Sequence, residues 1–204
     1  MPRPRSTPKL AIVSGRKVVT TVLVCLAAAG ALFAAEELPN PGEAACLEQG
    51  GLWFGEVGCE MAERRIDRVV IDKSERRLTA FEDGRPVRTF IVALGGDPVG
   101  PKQRQGDERT PEGVYPVVAH KPDSAFHRAL RLGYPTPEQA EMAAAAGVDP
   151  GGDIMIHGLP NGQGWIGAAH RESDWTLGCI AVTDDEIEWL YRFVADGTPV
   201  EIRA

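Results

Sequence analysis

Asp153 to Val182 read DIMIHGLPNGQGWIGAAHRESDWTLGCIAV, and two residues of this stretch organise the rest of the chain. The apolar run Ile154, Met155, Ile156 leads into His157 and Gly158, which reads as a buried strand ending at the glycine. Cys179 follows Gly178, and Cys-Ile-Ala-Val reads as the start of another strand. The histidine and the cysteine are 22 positions apart, and adjacent strand ends would bring them together. A thiol is a strong nucleophile only as thiolate, so a cysteine enzyme needs a nearby imidazole to take the proton. Alone, a buried cysteine is usually an inert small hydrophobe and a histidine after a strand a hydrogen-bonded structural residue. Both together, each beside a glycine in a chain with an export leader, favour catalysis.

Working outward, 23 glycines and 16 prolines with few long helical patterns favour a turn-rich β or α+β fold over a helix bundle. Residues 66–96 alternate as three strands joined by Lys-Ser-Glu-Arg and Glu-Asp-Gly-Arg-Pro turns, a meander. Residues 95–107 read as a loop in which Lys102 and Arg104 are solvated charges. A further strand follows through residue 121, and Pro116 inside it predicts an edge or a bulge. Thr136-Pro137-Glu138 opens a short helix that Gly147 stops, and its alanines predict shallow packing. Thr183 caps a second helix from Asp184 to about Val194, with Ile187, Leu190, Tyr191 and Val194 on its apolar face and Gly197 ending it. The final TPVEIRA is a strand.

The leader comes from the other end of the chain. Five basic residues precede the apolar run Val18 to Ala35, the signature of export, and its 18-residue length leaves a cleaved signal peptide and an uncleaved signal anchor both open. Cys25 inside that run is an apolar filler. Without those five, 17 Lys and Arg stand against 29 acidic residues, and such an acidic chain is not a nucleic-acid binder. Residues 36–65 read as a linker plus a small hairpin bracketed by Cys46 and Cys59, which in an exported chain most simply form a disulfide. Cys179 is then the odd thiol, a flag for reactivity in an oxidising compartment.

The segments GDERTPEGVYPV, LGYP, GGDIMIHG and SDWTLGCIAVT, in this order, resemble the L,D-transpeptidase catalytic domain (YkuD) family, in its branch with a long insertion between histidine and cysteine. The resemblance covers residues 66–204. The family pattern of His-Gly, a spacer and Ser/Thr-x-Gly-Cys falls on His157, Gly158, Thr176, Gly178 and Cys179. It departs at Leu177, where a second histidine is usual, and at Ala181, where an arginine is often found. The resemblance implies a mainly β, sandwich-like fold with a few short helices. It also implies that Cys179 attacks a peptidoglycan stem peptide to form a thioester, with His157 as proton donor and acceptor. Gly158 would contribute its backbone, and Gly178 an oxyanion loop built on the N–H groups of residues 177–179. Thr176, Trp175 and Arg171 become candidate substrate contacts, with Arg128 and Arg131 as further cations that could replace the missing arginine.

That reading places the catalytic domain at the cell envelope or periplasm, held at the inner membrane if the leader is uncleaved, with no metal or organic cofactor required. A hydrolase of the same thioester and a non-catalytic wall-binding module are the competing functions. His170 could join His157 and Cys179 in a zinc site, but a clear fourth ligand is lacking. His120 and His127 read as loop and surface groups. Trp165 and Trp175 flank the spacer, as packing under a loop or as a groove wall.

Overall fold

The computed structural model describes residues 51–53, 59–61 and 64–204 of the 204-residue chain. Two short strands, β1 (Gly51–Trp53) and β2 (Cys59–Met61), pair antiparallel with Trp53 opposite Cys59. The leader and the Cys46–Cys59 disulfide expected above lie outside the described residues. Among the described residues, no helix is long and apolar enough to cross a membrane.

The remaining eight strands form one sheet. In chain order they are β3 (Arg68–Asp72), β4 (Arg77–Glu82), β5 (Arg85–Ile91), β6 (Gly113–Ser124), β7 (His127–Leu132), β8 (Met155–His157), β9 (Ile180–Ala181) and β10 (Pro199–Arg203). Across the sheet the order is β5-β4-β3-β10-β6-β7-β8-β9. β3 to β5 are the expected meander, because alternating residues such as Leu78 and Ala80 reach the core while Arg77 and Thr79 stay outside. The two ends of the sheet then meet. Ala93, just past β5, exchanges both backbone hydrogen bonds with Ala181 of β9, at 3.0 and 2.8 Å. This closure wraps the sheet around Ile71, Leu78, Tyr115, Leu130, Ile156, Ile180 and Leu190, all fully buried, and produces the sandwich-like, mainly β fold.

Pro116 is not on an edge, since β6 lies between β10 and β7. It stands just ahead of a register shift between Val117 and Ala119, where β6 hands over from β10 to β7. Helix α1 (Pro137–Ala145) starts at Thr136 with a complete capping box to Gln139 and buries only Ala143. Helix α2 (Asp184–Phe193) is capped likewise by Thr183 and Glu186, and buries Ile187, Trp189, Leu190 and Phe193. Trp189 takes the place expected for Tyr191, packing edge-on to Phe90 at 5.6 Å, while Tyr191 is half-buried against His120. The helix ends before Gly197, because Val194 turns extended and bridges to Ile66.

Two loop charges differ from expectation. Lys102 is buried, with its ammonium donating to Asp107 Oδ1 at 2.7 Å and to the Arg104 carbonyl at 3.1 Å. Burial pushes the Asp107 carboxyl up, but Lys102 and the N–H groups of Gln103, Arg104 and Arg109 outweigh it and hold the group well below the carboxylate range. The chain has folded its loop around one carboxylate, a device with no periodicity to betray it. Arg104 is exposed, as read.

Candidate active site

β8 and β9 run parallel, with Ile156 opposite Ile180 and His157 opposite Ala181. Parallel neighbours need a crossover, and residues 158–179 supply it, including a 3-10 segment (Gly164–Glu172) broken at Gly167. The separation of His157 and Cys179 is therefore the length of one connection. Because side chains alternate, Ile156 and Ile180 point into the core, and His157, Ala181, Met155 and Cys179 share the opposite face. Cys179 lies just before β9, across from Met155. Strand geometry separates its Cα from that of His157 by roughly 8 Å.

His157 is 3% exposed, and its Nδ1 lies 2.7 Å from the Gly158 carbonyl oxygen. A carbonyl only accepts, so Nδ1 carries the hydrogen and the neutral ring has its lone pair on Nε2. Ala129 on β7 and Ala181 on β9, both fully buried, flank the imidazole in the sheet and leave room above it. Phe126 and Trp175 fill that room, with ring centroids 4.5 and 5.8 Å from the imidazole. Burial pushes the His157 pKa down, and His170 adds to the shift, against the opposing Gly158 carbonyl.

Gly158 is fixed by packing as well as by its carbonyl. A Cβ there would lie 2.7 Å from Asp184 Oδ1 and 3.0 Å from Ile187. Asp184, at the start of α2, accepts the Leu159 N–H at 2.8 Å and so clamps the chain just beyond the histidine. On the cysteine side, Thr176 Oγ1 donates to the Cys179 carbonyl at 2.7 Å and accepts the Gly178 N–H at 3.1 Å. Gly178 has φ +127°, and a Cβ would lie 2.6 Å from the Arg109 carbonyl oxygen. Asp174 ties this turn to the scaffold by accepting from the Leu94 N–H at 2.9 Å and from Arg76.

The Cys179 thiol is half-buried and lies 3.5 Å from the Asp153 carbonyl, to which it donates. Burial pushes its pKa up, the Met155 N–H and the Lys102 ammonium oppose this, and the Asp153 carboxylate adds to it. Burial thus disfavours the charged form of both side chains, the thiolate of Cys179 and the imidazolium of His157.

The structure brings His157, Gly158, Trp175, Thr176, Gly178 and Cys179 together, but not in every expected role. Thr176 is 5% exposed with its hydroxyl used inside the turn, so it shapes the site rather than facing a substrate. The Gly178 N–H is taken by that hydroxyl, which removes it from the oxyanion donors and leaves this glycine a conformational role. Arg171, a candidate substrate contact, pairs with Glu186 at 2.5 Å. Trp165 is 84% exposed and packs under nothing. His120 lies on β6, bonded to Asp196 and the Val194 carbonyl, and His127 opens β7 beside Glu188 at 2.7 Å. Leu177, the usual second-histidine position, is 76% exposed. Among the described residues, no three His, Cys, Asp or Glu side chains are grouped to hold a metal.

Phe126, Asp174 and Asp184 are the site residues that sequence reading missed, while His170, read as a possible zinc ligand, lies buried in the crossover. Asp184 announced itself only as a helix-capping acid, and Phe126 reaches His157 from the far β6–β7 hairpin, with no local signal.

Comparison with known proteins bears on this arrangement. The family model for the L,D-transpeptidase catalytic domain (YkuD) matches residues 66–202. "Putative L,D-transpeptidase YafK" of Escherichia coli K12 is 30% identical over 132 residues, which cover 62% of this chain and 46% of the relative. The chain therefore spans about half the length of the curated relatives it matches. Two solved structures share the fold. The helical cell shape determining protein Pgp2 of Campylobacter jejuni is 22% identical with a TM-score of 0.52, over 79% of this chain and 55% of that one. Bdellovibrio bacteriovorus Bd1075 is 23% identical with a TM-score of 0.50, over 69% and 48%.

Proposed function

The chain belongs to the L,D-transpeptidase catalytic domain (YkuD) family, and on that premise we propose that it is an exported cysteine acyltransferase acting on peptidoglycan stem peptides. The observation that carries this reading is the histidine tautomer. With Nδ1–H held by Gly158, the basic Nε2 belongs to a side chain on the same sheet face as Cys179. In the proposed reaction His157 Nε2 takes the thiol proton as Sγ attacks the carbonyl of an L-centre. The C–N bond breaks, the leaving amine of a D-alanine takes that proton, and a thioester remains on Cys179. An acceptor amine then attacks the thioester, loses its proton to His157, and frees the thiol as a new amide forms. The Cys179 N–H, in the turn that Thr176 holds, is the oxyanion donor we assign.

The apolar run Val18 to Ala35, read as an export leader, supports a periplasmic or cell-envelope setting for this chemistry, where peptidoglycan lies. The name of the Pgp2 relative, a helical cell shape determinant, is in keeping with a role in wall remodelling. Incubating the purified full chain with tetrapeptide-bearing muropeptides, with mass analysis of Cys179, tests the proposal. A Cys179 acyl adduct and cross-linked dimers are expected. Tripeptides alone would convert the reading to hydrolysis, and the absence of any adduct or product would overturn it.

A further inference from the structure

Resting on the acyl-transfer reading, the geometry points to Arg131 as the residue that binds a carboxylate of the acyl-donor stem. Arg131 on β7 is the direct partner of Met155 on β8, and Cys179 lies across from Met155 on the next strand. Arg131, Met155 and Cys179 therefore form one row across the same face of the sheet, and Ala129, His157 and Ala181 form the row beside it. Two strand spacings separate the Arg131 and Cys179 backbones by about 10 Å. An extended arginine and one or two substrate residues, at about 3.5 Å each, close that gap.

The other cations near this face are engaged. Arg171 is paired with Glu186, and Arg128 is paired with Glu188 at 3.1 Å and stacked over Tyr191. Arg109 donates twice to Asp97 at 3.0 Å, and Lys102 is buried on Asp107. Arg131 has a looser tie: its side chain is 45% exposed and stands 3.8 Å from the Asp153 carboxylate, itself 74% exposed. The two line a concavity of about 320 Å³ with Val118, Leu132, Gly133 and Tyr134. Asp153 also accepts the Cys179 thiol through its backbone carbonyl, which ties one wall residue of the hollow to the nucleophile.

A planar guanidinium on a sheet strand fits bidentate capture of a carboxylate. Capture also answers a local problem, because Asp153 would otherwise repel an anionic stem from the thiol. Ala181 cannot serve, being fully enclosed in the histidine row. The donor's anion can be the terminal carboxylate of the leaving residue or the second carboxylate of its diamino acid.

Steady-state kinetics of the full chain on three donors separates these sources: the native tetrapeptide stem, its C-terminal amide, and a stem amidated at the diamino acid. Arg131→Gln should raise KM on the native stem about ten- to a hundredfold, with kcat little changed, and Arg131→Lys should recover part of the loss. One amidated stem should show the same penalty on the wild type and no further loss on Arg131→Gln, which identifies the carboxylate. An unchanged rate of Cys179 alkylation by iodoacetamide in the variant would mark the site as intact. Kinetics within twofold of wild type, or an equal loss on all three donors, would overturn the assignment while leaving acyl transfer standing. A wild type inactive on every stem would instead overturn the acyl-transfer reading.

Discussion

Lys73 and His170 are both buried nitrogen-bearing side chains, 3% and 7% exposed, and the fold treats them in opposite ways. Lys73, in the turn after β3, donates to the Gly100 carbonyl at 2.7 Å, the Thr110 carbonyl at 3.0 Å and Glu112 at 2.8 Å. All three of its protons are used. His170, in the crossover between His157 and Cys179, has a partner on neither ring nitrogen. Burial pushes its pKa down, as does neighbouring Arg171, while Glu186 opposes them. Buried polar groups are normally satisfied, and a native protein that leaves one unpaired usually does so where function sets the terms. Lys73 has its polar burial resolved, whereas His170, in the crossover that leads to the thiol, is buried with both ring nitrogens unbonded.

The largest expected effect lies on the site side of that contrast. His157→Ala should slow Cys179 acylation by about 10²- to 10⁴-fold with little change in thermal stability, and adding Cys179→Ser should cost little more, because the two act as one unit. Adduct formation by intact mass, read beside melting curves, checks both halves. If loss of rate came with an equal loss of fold, His157 would belong with Lys73 as a structural group.

Stability should separate the two regions next. Lys73→Met strands two carbonyls and Glu112, and should cost about 3 kcal/mol in chemical denaturation. His170→Phe, similar in shape and free of orphaned nitrogens, should cost nothing or stabilise by about 1 kcal/mol. Equal and large losses from both would mean that His170 is as well partnered as Lys73, and the contrast would collapse.

The smallest effect is a pH dependence. His157 and His170 have folded pKa values below the ordinary histidine value of about 6.5. Between the folded value and about 6.5 the unfolded chain binds more protons, so stability rises with pH through that window and is lost as pH falls through it. Cys179 acts at the other end: its raised pKa makes the folded state the better proton binder above about 8.5, so stability declines there. Melting temperature should therefore peak between these limits, and His170→Phe should flatten part of the acid limb. An acid limb unchanged in that variant would remove His170 from the account.

Legibility in the sequence followed the range of the interactions. The meander and both helix starts, at Thr136 and Thr183, are written in neighbouring residues and could be read directly. So could the two short strands at His157 and just after Cys179, because each has its own apolar signature, and their pairing is what the fold adds. What escaped depends on partners far along the chain. The Ala93–Ala181 closure, the Phe126 ring over His157 and the Asp174 clamp on Leu94 have no local pattern. Lys102 misled because a lysine in a glycine-rich loop is ordinarily solvated, and only the fold brings Asp107 around it. Thr176 misled differently. Its position in the motif was right, but a hydroxyl beside a nucleophile can serve the turn as readily as a ligand.

The crossover joining β8 to β9 has a consequence for how the protein comes into being. Cys179 meets its histidine only after Ile180 has found Ile156, and Ala181 is secured only when Ala93, 88 positions earlier, has docked. Such distant pairings form slowly, because chain entropy must be surrendered before they give anything back. A newly made or partly folded chain therefore carries an ordinary thiol without a base beside it. On the acyl-transfer mechanism proposed above, the pair would be assembled only when the sheet is complete, and Cys179 acylation would then report that folding has finished.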